Sequence, residues 1–525
     1  MDNHTTNGGN CKNIYTTGEN MPQVRIRTGT REETITAEEG ERLLDALRRA
    51  GVNMTAPCGG MGRCGNCRAT VNGENVLVCQ YIVTGDTEVT VQELQGGVVL
   101  GGETTASGRG TRLGAALDLG TTTLALRLYD LDTGKCAGQH TAWNAQAAYG
   151  ADVITRAQYC MEHPEGTQTL QSVICSQLNE MLGALGTSSK EIESLFVAGN
   201  TIMQHLFAGL DPSPIAVAPF TPRTLFDDCK NPGNPSPRLR MTKMCFAPCV
   251  AGYVGGDITA GLLASELFEK EGKYLFLDVG TNGEMALGGR DGFVCCAVAS
   301  GPAFEGAGIS CGMAGVDGAV SHVQLQDGAL RFNVIGGGKA KGLCGSGLVD
   351  LAALLCREGI ITASGLLLPP EEAPEKWAAY LSEDDDGNGI FFLTPSVYLT
   401  ARDVRQLQLA KAAVAAGIRV LLKKSGTELD EIGGLYLAGG FGSFLDPHSA
   451  ADISMLPKEL TEKTTVLGNA SLTGASTALT DKGTRSRLRD IQRACRYIEL
   501  SGDRDFNEEY PEQMFFYEED DDEWN

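Results

Sequence analysis

The sequence predicts a multidomain α/β protein: a small β-rich module followed by a long stretch of alternating strands and helices. Three observations predict it. The chain has 525 residues, 42 % of them hydrophobic, enough to bury a large core and to divide into three or four folding units. Three cysteines cluster in a Gly-rich loop among short alternating strands near the N-terminus, and a fourth follows after eleven residues. Beyond a Gly/Ser/Thr-rich stretch, apolar strands alternate with helical segments for about 400 residues, the pattern of α/β architecture.

Composition narrows the class. Lys and Arg number 43 against 66 Asp and Glu, a formal charge of -23, which argues against a phosphate-backbone partner, so no nucleic acid is expected. No charge-free run of 18 or more apolar residues occurs, and Met1–Met21 lacks the apolar core of a signal peptide. No membrane contact and a cytoplasmic location are therefore expected. In that compartment the 17 Cys stay reduced, and a tight cluster reads as metal ligands or redox groups rather than disulfides. The six His are scattered and suggest no metal site.

Element by element, residues 1–22 read as a disordered leader rich in Asn, Thr and Gly. Residues 23–94 form the β-rich module: strands at Val24–Arg27 and Thr34–Thr36, a helix from Glu39 to Ala50, the Cys loop, then strands near Arg68–Val71 and Glu88–Val91. Residues 95–112 read as a flexible linker. Residues 113–245 form a first lobe and 246–504 a larger second one. The Pro-rich stretches Asp211–Pro248 and Pro369–Pro395 read as surface insertions or crossings. Residues 505–525, acidic and without a basic residue, read as a disordered, solvated tail.

In the cysteine loop, Pro57-Cys58-Gly-Gly-Met-Gly-Arg-Cys64-Gly-Asn-Cys67 followed by Val78-Cys79 places four thiols within 22 positions, at spacings of five, two and eleven residues. An iron-sulfur cluster needs thiolates and backbone N–H groups wrapped around the sulfides, which Gly59, Gly60, Gly62 and Gly65 permit. Zinc needs only the thiolates, but four-Cys zinc knuckles usually pair two CxxC units, and here there is one. Cys245, Cys249, Cys295, Cys296, Cys311 and Cys344 lack ligand spacing and read as packing residues.

Three Gly-containing loops follow apolar strands. Asp118-Leu-Gly120-Thr121-Thr122-Thr123 and Asp278-Val-Gly280-Thr281-Asn282-Gly283 repeat one design, an Asp at a strand end and then Gly and hydroxyl groups at a hairpin. Such loops can bond phosphate oxygens while each Asp holds Mg²⁺ directly or through water. Taken singly, each is equally an Asx-turn or tight hairpin without a ligand; two copies 160 residues apart, with Ala438-Gly439-Gly440-Phe441-Gly442 near the C-terminus, favour a nucleotide clamp.

The cysteine module resembles the β-grasp 2Fe-2S ferredoxins, with a five-residue first spacing similar to their adrenodoxin-like branch. That resemblance implies Cys58, Cys64, Cys67 and Cys79 as cluster ligands. The three later loops resemble those of the ASKHA superfamily of kinases, chaperone ATPases and actin, which implies two RNase-H-like (actin-like ATPase) lobes with ATP between them. Asp118 and Asp278 would then serve Mg²⁺ and the attacking water, Gly120, Thr121, Thr122, Gly280, Thr281 and Asn282 the phosphates, and Gly439, Gly440 and Gly442 the adenosine. In combination the chain resembles the reductive activators of corrinoid proteins, supported by the runs at Val197–His205, Tyr253–Asp257, Ser300–Cys311, Lys341–Gly347 and Thr400–Lys411. That implies ATP-dependent delivery of one electron to a corrinoid protein in the inactive Co(II) state, an upstream electron donor, and a homodimer. The linker of about 18 residues is short beside the family's linker domain. An ATP-driven donor to another low-potential acceptor, or a redox-sensing adaptor with an ATP switch, remain alternatives at this stage.

Overall fold

The structure is a computed structural model that describes residues 21–28, 31–50, 52, 67–91, 112–227, 239–241 and 243–517. It forms two compact units, Met1–Gln95 and Gly96–Asn525. The leader through residue 20, the linker from residue 95 to 111, the tail beyond Tyr517, and both Cys58 and Cys64 lie outside the described residues.

In the first unit β1 (Gln23–Thr28) alternates exposed and buried residues, so Val24 and Ile26 face a core and Arg25 and Arg27 face solvent. With β2 (Arg31–Thr36), β3 (Arg68–Val71), β4 (Glu74–Leu77) and β5 (Thr87–Val91) it forms a mixed sheet of order β2-β1-β5-β3-β4. One helix, Leu43–Arg49, covers the sheet with Leu43, Leu44 and Leu47 fully buried, each contributing on the order of 2 kcal/mol. The helix starts later than Glu39 because Gly40 takes φ +88 in a turn closed by the bond from the Glu38 N–H to Glu41 Oε2 (3.0 Å). Strand β4 has no counterpart in the sequence reading; the Asn72-Gly73 turn, with φ +49 and +89, is the hairpin signal for it.

The second unit repeats one sheet design twice. In the first lobe β6 (Leu113–Leu119), β7 (Thr123–Asp130), β8 (Cys136–Trp143), β9 (Ile192–Gly199) and β10 (Lys243–Phe246) take the order β10-β9-β6-β7-β8. The hairpin β6-β7-β8 is antiparallel, and β9 and β10 join it in parallel. The second lobe begins with β11 (Lys273–Val279), β12 (Gly283–Gly289) and β13 (Gly292–Val298). Two small sheets follow, β14 (Ala319–Gln326) with β15 (Ala329–Val334) and β16 (Gly342–Leu343), then β17 (Leu381–Glu383) with β18 (Gly389–Thr394) and β19 (Val397–Thr400). Strands β20 (Ile432–Ala438), β21 (Thr464–Gly468) and β22 (Cys495–Tyr497) complete a sheet of order β21-β20-β11-β12-β13-β22, again an antiparallel hairpin extended by parallel strands. The expected pair of RNase-H-like lobes is thus observed.

Strands β6 and β11 are buried on both faces, which is why Leu-Gly-Ala-Ala-Leu and Tyr-Leu-Phe-Leu read as continuous apolar runs. Between the two sheets the helices Gly256–Ser265 and Ala470–Thr480 share a buried cluster with Ala116, Phe196 and Phe276. Their backbones approach so closely that a Cβ on Gly474 would collide with the Ala260 carbonyl.

Three expectations change. The lobe boundary at 245/246 cuts β10; the break between sheets falls after Phe246 and before Lys273. The Asp211–Pro248 stretch is not wholly a surface insertion, since Phe226 and Phe246 are buried with ring centroids 4.8 Å apart, and in Pro369–Pro395 Trp377 and Phe391 are buried. The acidic tail is ordered through Tyr517: a helix spans Arg504–Glu512, Phe516 is fully buried, and the Phe515 carbonyl accepts the ammonium of buried Lys411. Aromatic residues 506, 510, 515, 516 and 517 supply the apolar surface that its charge count concealed.

Candidate nucleotide and cluster sites

The first turn lies between β6 and β7, which pair Asp118 with Ala125 and Leu119 with Leu124. A Cβ on Gly120 would collide with the Thr123 carbonyl, so the turn requires glycine. All three carbonyls of the turn are held by the protein behind it. Asn144 Nδ2 donates to Gly120 O (2.8 Å), the Asn144 N–H to Thr122 O (2.8 Å), and an Arg156 guanidinium nitrogen to Thr121 O (2.6 Å). In a planar trans peptide the N–H points opposite the C=O, so fixing these carbonyls turns the N–H groups of Thr121 and Thr122 the other way, as in an anion nest.

The second turn copies this device. Ser300 Oγ donates to Gly280 O (3.0 Å) and is 3.2 Å from Thr281 O, while the Gly280 N–H bonds Asn282 O (2.8 Å). The two turns meet: Thr122 Oγ1 and Thr281 Oγ1 are 3.3 Å apart across the lobes.

Around them stands a set of enclosed carboxylates. Asp118 Oδ2 accepts from Asn469 Nδ2 and Oδ1 from Ser471 Oγ, both at 2.7 Å. Burial raises the Asp118 pKa, and those two bonds oppose the rise. Asp278 is pushed up to about 8, first by burial and then by the charges of Asp257 and Asp118. Asp257 is pushed up to about 7 by burial and by Asp118, against the bond it accepts from the Ile258 N–H. Glu284, 7 % exposed, is held well above the carboxylate range by burial and by Asp257 and Asp278. Asp118, Asp257 and Asp278 are nonetheless half-buried rather than sealed in a core. Mutually repelling carboxylates of this kind suit a divalent cation. Among the described residues no three His, Cys, Asp or Glu side chains converge as direct ligands, so the fit is to a hydrated Mg²⁺, which characteristically keeps several waters.

The third turn, Gly439–Gly442, follows β20, whose Ala438 lies beside Asp278 in the sheet. Gly439 has φ +88, and a Cβ there would collide with Asp278 Oδ1. At Gly440 a Cβ would meet nothing within 4 Å, leaving room for a flat ligand. Phe441 stacks on Phe304 with centroids 4.7 Å apart.

In the first unit Cys67 and Cys79 are each 1 % exposed, and the Val78 N–H donates to Cys67 O (3.0 Å), which draws the two cysteine segments together. They supply two buried sulfurs, which fit ligands of a 2Fe-2S cluster. Cys245, Cys249, Cys295, Cys296 and Cys344 are buried, and burial pushes Cys249 and Cys296 up to about 12, which keeps them neutral thiols.

The sequence reading missed Asn144, Arg156, Asn469 and Ser471. Arg156 is fully buried, yet its pKa falls only to about 10 because Asp152 and Glu305 offset burial, so it is charged at neutral pH. An Arg on the apolar face of an amphipathic helix, Val153–Glu162, was the available signal.

Three family descriptions match in order: a 2Fe-2S iron-sulfur cluster binding domain over residues 27–94, the RACo middle region over 113–270, and the C-terminal RACo ASKHA domain over 272–525. The corrinoid activation enzyme RamQ of Eubacterium limosum is 33 % identical over 422 residues, covering 77 % of this chain and 70 % of that protein. The chain belongs to the family of reductive activators of corrinoid proteins. A second relative in that family, the Co(II) methylated amine-specific corrinoid protein reductase of Methanosarcina barkeri, is 25 % identical over 72 % of this chain and 71 % of its own length. A solved structure, a reductive activator for corrinoid, iron-sulfur protein, superimposes with a TM-score of 0.68 at 29 % identity, covering 94 % of this chain and 98 % of that one. Among the described residues no helix is long and apolar enough to cross a membrane.

Proposed function

We propose that this chain restores the methyl-accepting Co(I) state of a corrinoid protein by delivering one electron to its inactive Co(II) form, with ATP taken up between the two lobes. The observation that carries this reading is the fusion in one chain of a cysteine module with buried Cys67 and Cys79 and two facing hairpin turns whose hydroxyls meet at 3.3 Å. When bound, a 2Fe-2S cluster supplies one-electron chemistry and MgATP the free energy to use it against an unfavourable potential, where each ~59 mV is a factor of ten in a one-electron equilibrium.

The chain's own groups divide the work. Cys58, Cys64, Cys67 and Cys79 would hold the cluster. The turns at Gly120–Thr122 and Gly280–Asn282 would bind phosphate oxygens, with their N–H groups set by Asn144, Arg156 and Ser300. Asp118 and Asp278 would take the hydrated Mg²⁺ and orient the attacking water, Asp118 through the lone pairs that Asn469 and Ser471 leave free. Gly439, Gly440 and Gly442 would admit the adenosine. Closure of the lobes on nucleotide would favour one conformation of the activator for its partner.

The experiment is ATP hydrolysis by the full-length chain, prepared anaerobically, with and without a corrinoid protein poised as Co(II) or Co(I). Stimulation by the Co(II) form alone supports the reading. Hydrolysis indifferent to the corrinoid protein contradicts it.

A further inference from the structure

Glu305 stands where the two phosphate turns meet. Its Oε2 accepts from Thr122 Oγ1 at 2.9 Å and from Thr281 Oγ1 at 2.8 Å. Thr122 and Thr281 belong to different lobes and lie 159 residues apart in the chain. One carboxylate oxygen thus gathers two donors from the very groups assigned to phosphate. Each hydroxyl has a single proton, so a phosphate oxygen and Glu305 cannot both receive it.

The segment that carries Glu305 is a short turn bounded by glycines. Pro302–Glu305 is one 3-10 turn between Gly301 at φ +74 and Gly306 at φ +80, both in the left-handed region, where only glycine is unstrained. Phe304, in the same turn, stacks on Phe441 of the Gly439–Gly442 turn. Burial raises the Glu305 pKa, while the bonds from Thr281 and Thr122 and the charge of Arg156 oppose the rise; the oxygen that already holds both hydroxyl protons is the one a phosphate oxygen must displace.

We propose that Glu305 is an internal competitor for the terminal phosphate of a nucleoside triphosphate: binding passes the Thr122 and Thr281 hydroxyls from Glu305 to the phosphate and releases the Gly301–Gly306 turn with its Phe304–Phe441 stack. This rests on the nucleotide reading above and adds how the site distinguishes triphosphate from diphosphate.

Calorimetric titration of the full-length chain with AMPPNP or ADP, in excess Mg²⁺, tests it. The Glu305→Gln variant binds AMPPNP at least about five-fold more tightly than wild type, about 1 kcal/mol, while its ADP affinity changes less than about two-fold. Glu305→Asp, which keeps the charge but shortens the reach, shifts AMPPNP binding in the same direction. In wild-type protein, which needs no substitution to fold, hydrogen exchange over residues 301–306 speeds up with AMPPNP and not with ADP. Weaker binding of both nucleotides by the variants, unchanged affinity with only slower hydrolysis, or no difference in exchange between AMPPNP and ADP overturns the proposal. Wild-type protein that binds neither nucleotide instead removes the nucleotide reading itself, a separate failure.

Discussion

Asn469 Nδ2 donates to Asp118 Oδ2 at 2.7 Å, joining residues 351 positions apart: a strand end of the first lobe and the start of the helix that follows β21 in the second. The same Asn469 caps its helix by accepting the Leu472 N–H (2.7 Å). One side chain therefore fixes a helix start and the carboxylate of Asp118.

Asn469→Ala removes a bond to a charged acceptor and a helix cap together, which predicts a loss of about 2–4 kcal/mol of stability. Ser471→Ala, losing one bond to the same carboxylate, costs about 1–3 kcal/mol. Denaturant unfolding of both single variants and the double variant checks this, with non-additivity expected because the two share Asp118.

Arg156→Gln leaves the Thr121 carbonyl without its guanidinium donor and frees the first turn to rotate. Loss of one such charge-assisted bond predicts about 2 kcal/mol weaker binding of MgATP, on the order of 30-fold in Kd. Titration calorimetry reads it; Arg156→Lys, which keeps the charge without the planar fork, recovers part of the affinity.

Lys411 is fully buried, and burial lowers its pKa to about 7. A cation whose folded pKa lies below its unfolded value of 10.5 leaves the unfolded chain holding more protons between the two. Its contribution to stability therefore rises with pH from about 7 to about 10, at up to about 1.4 kcal/mol per pH unit. Thermal unfolding of wild type and Lys411→Met across this window shows the difference: the variant's relative advantage is largest at pH 7 and shrinks as pH rises.

Cys67→Ser and Cys79→Ser each remove one of the buried sulfurs. Iron and acid-labile sulfide fall from about two of each per chain toward zero, and the S = 1/2 signal of the dithionite-reduced protein disappears. ATP binding by the second unit is unchanged, which calorimetry on the same samples confirms.

What could be read from the sequence was what is local. The two Asp-x-Gly-Thr hairpins were legible because a strand end, a glycine turn and its hydroxyls lie within a few residues, and the 2Fe-2S module because closely spaced cysteines sit among short alternating strands. Strand β4 was equally local and signalled by Asn72-Gly73, but its Glu74-Asn-Val-Leu77 shows no clean alternation of burial. Arg156 and Asn469 were not legible: helical periodicity says which face is apolar, not that a guanidinium on that face meets a carbonyl 35 residues earlier. The end of the chain was misjudged because net charge outweighed its aromatic residues, of which Phe516 docks beside Lys411.

The central claim is that nucleotide binding drives the reduction of Co(II). Its most direct test is the rate at which the Co(II) EPR signal of a cognate corrinoid protein is lost on mixing with the pre-reduced, full-length chain, with MgATP and without. The account predicts Co(I) formation that depends on MgATP in wild type and falls at least about ten-fold in Arg156→Gln, following its weaker nucleotide binding. Equal rates with and without MgATP would contradict it.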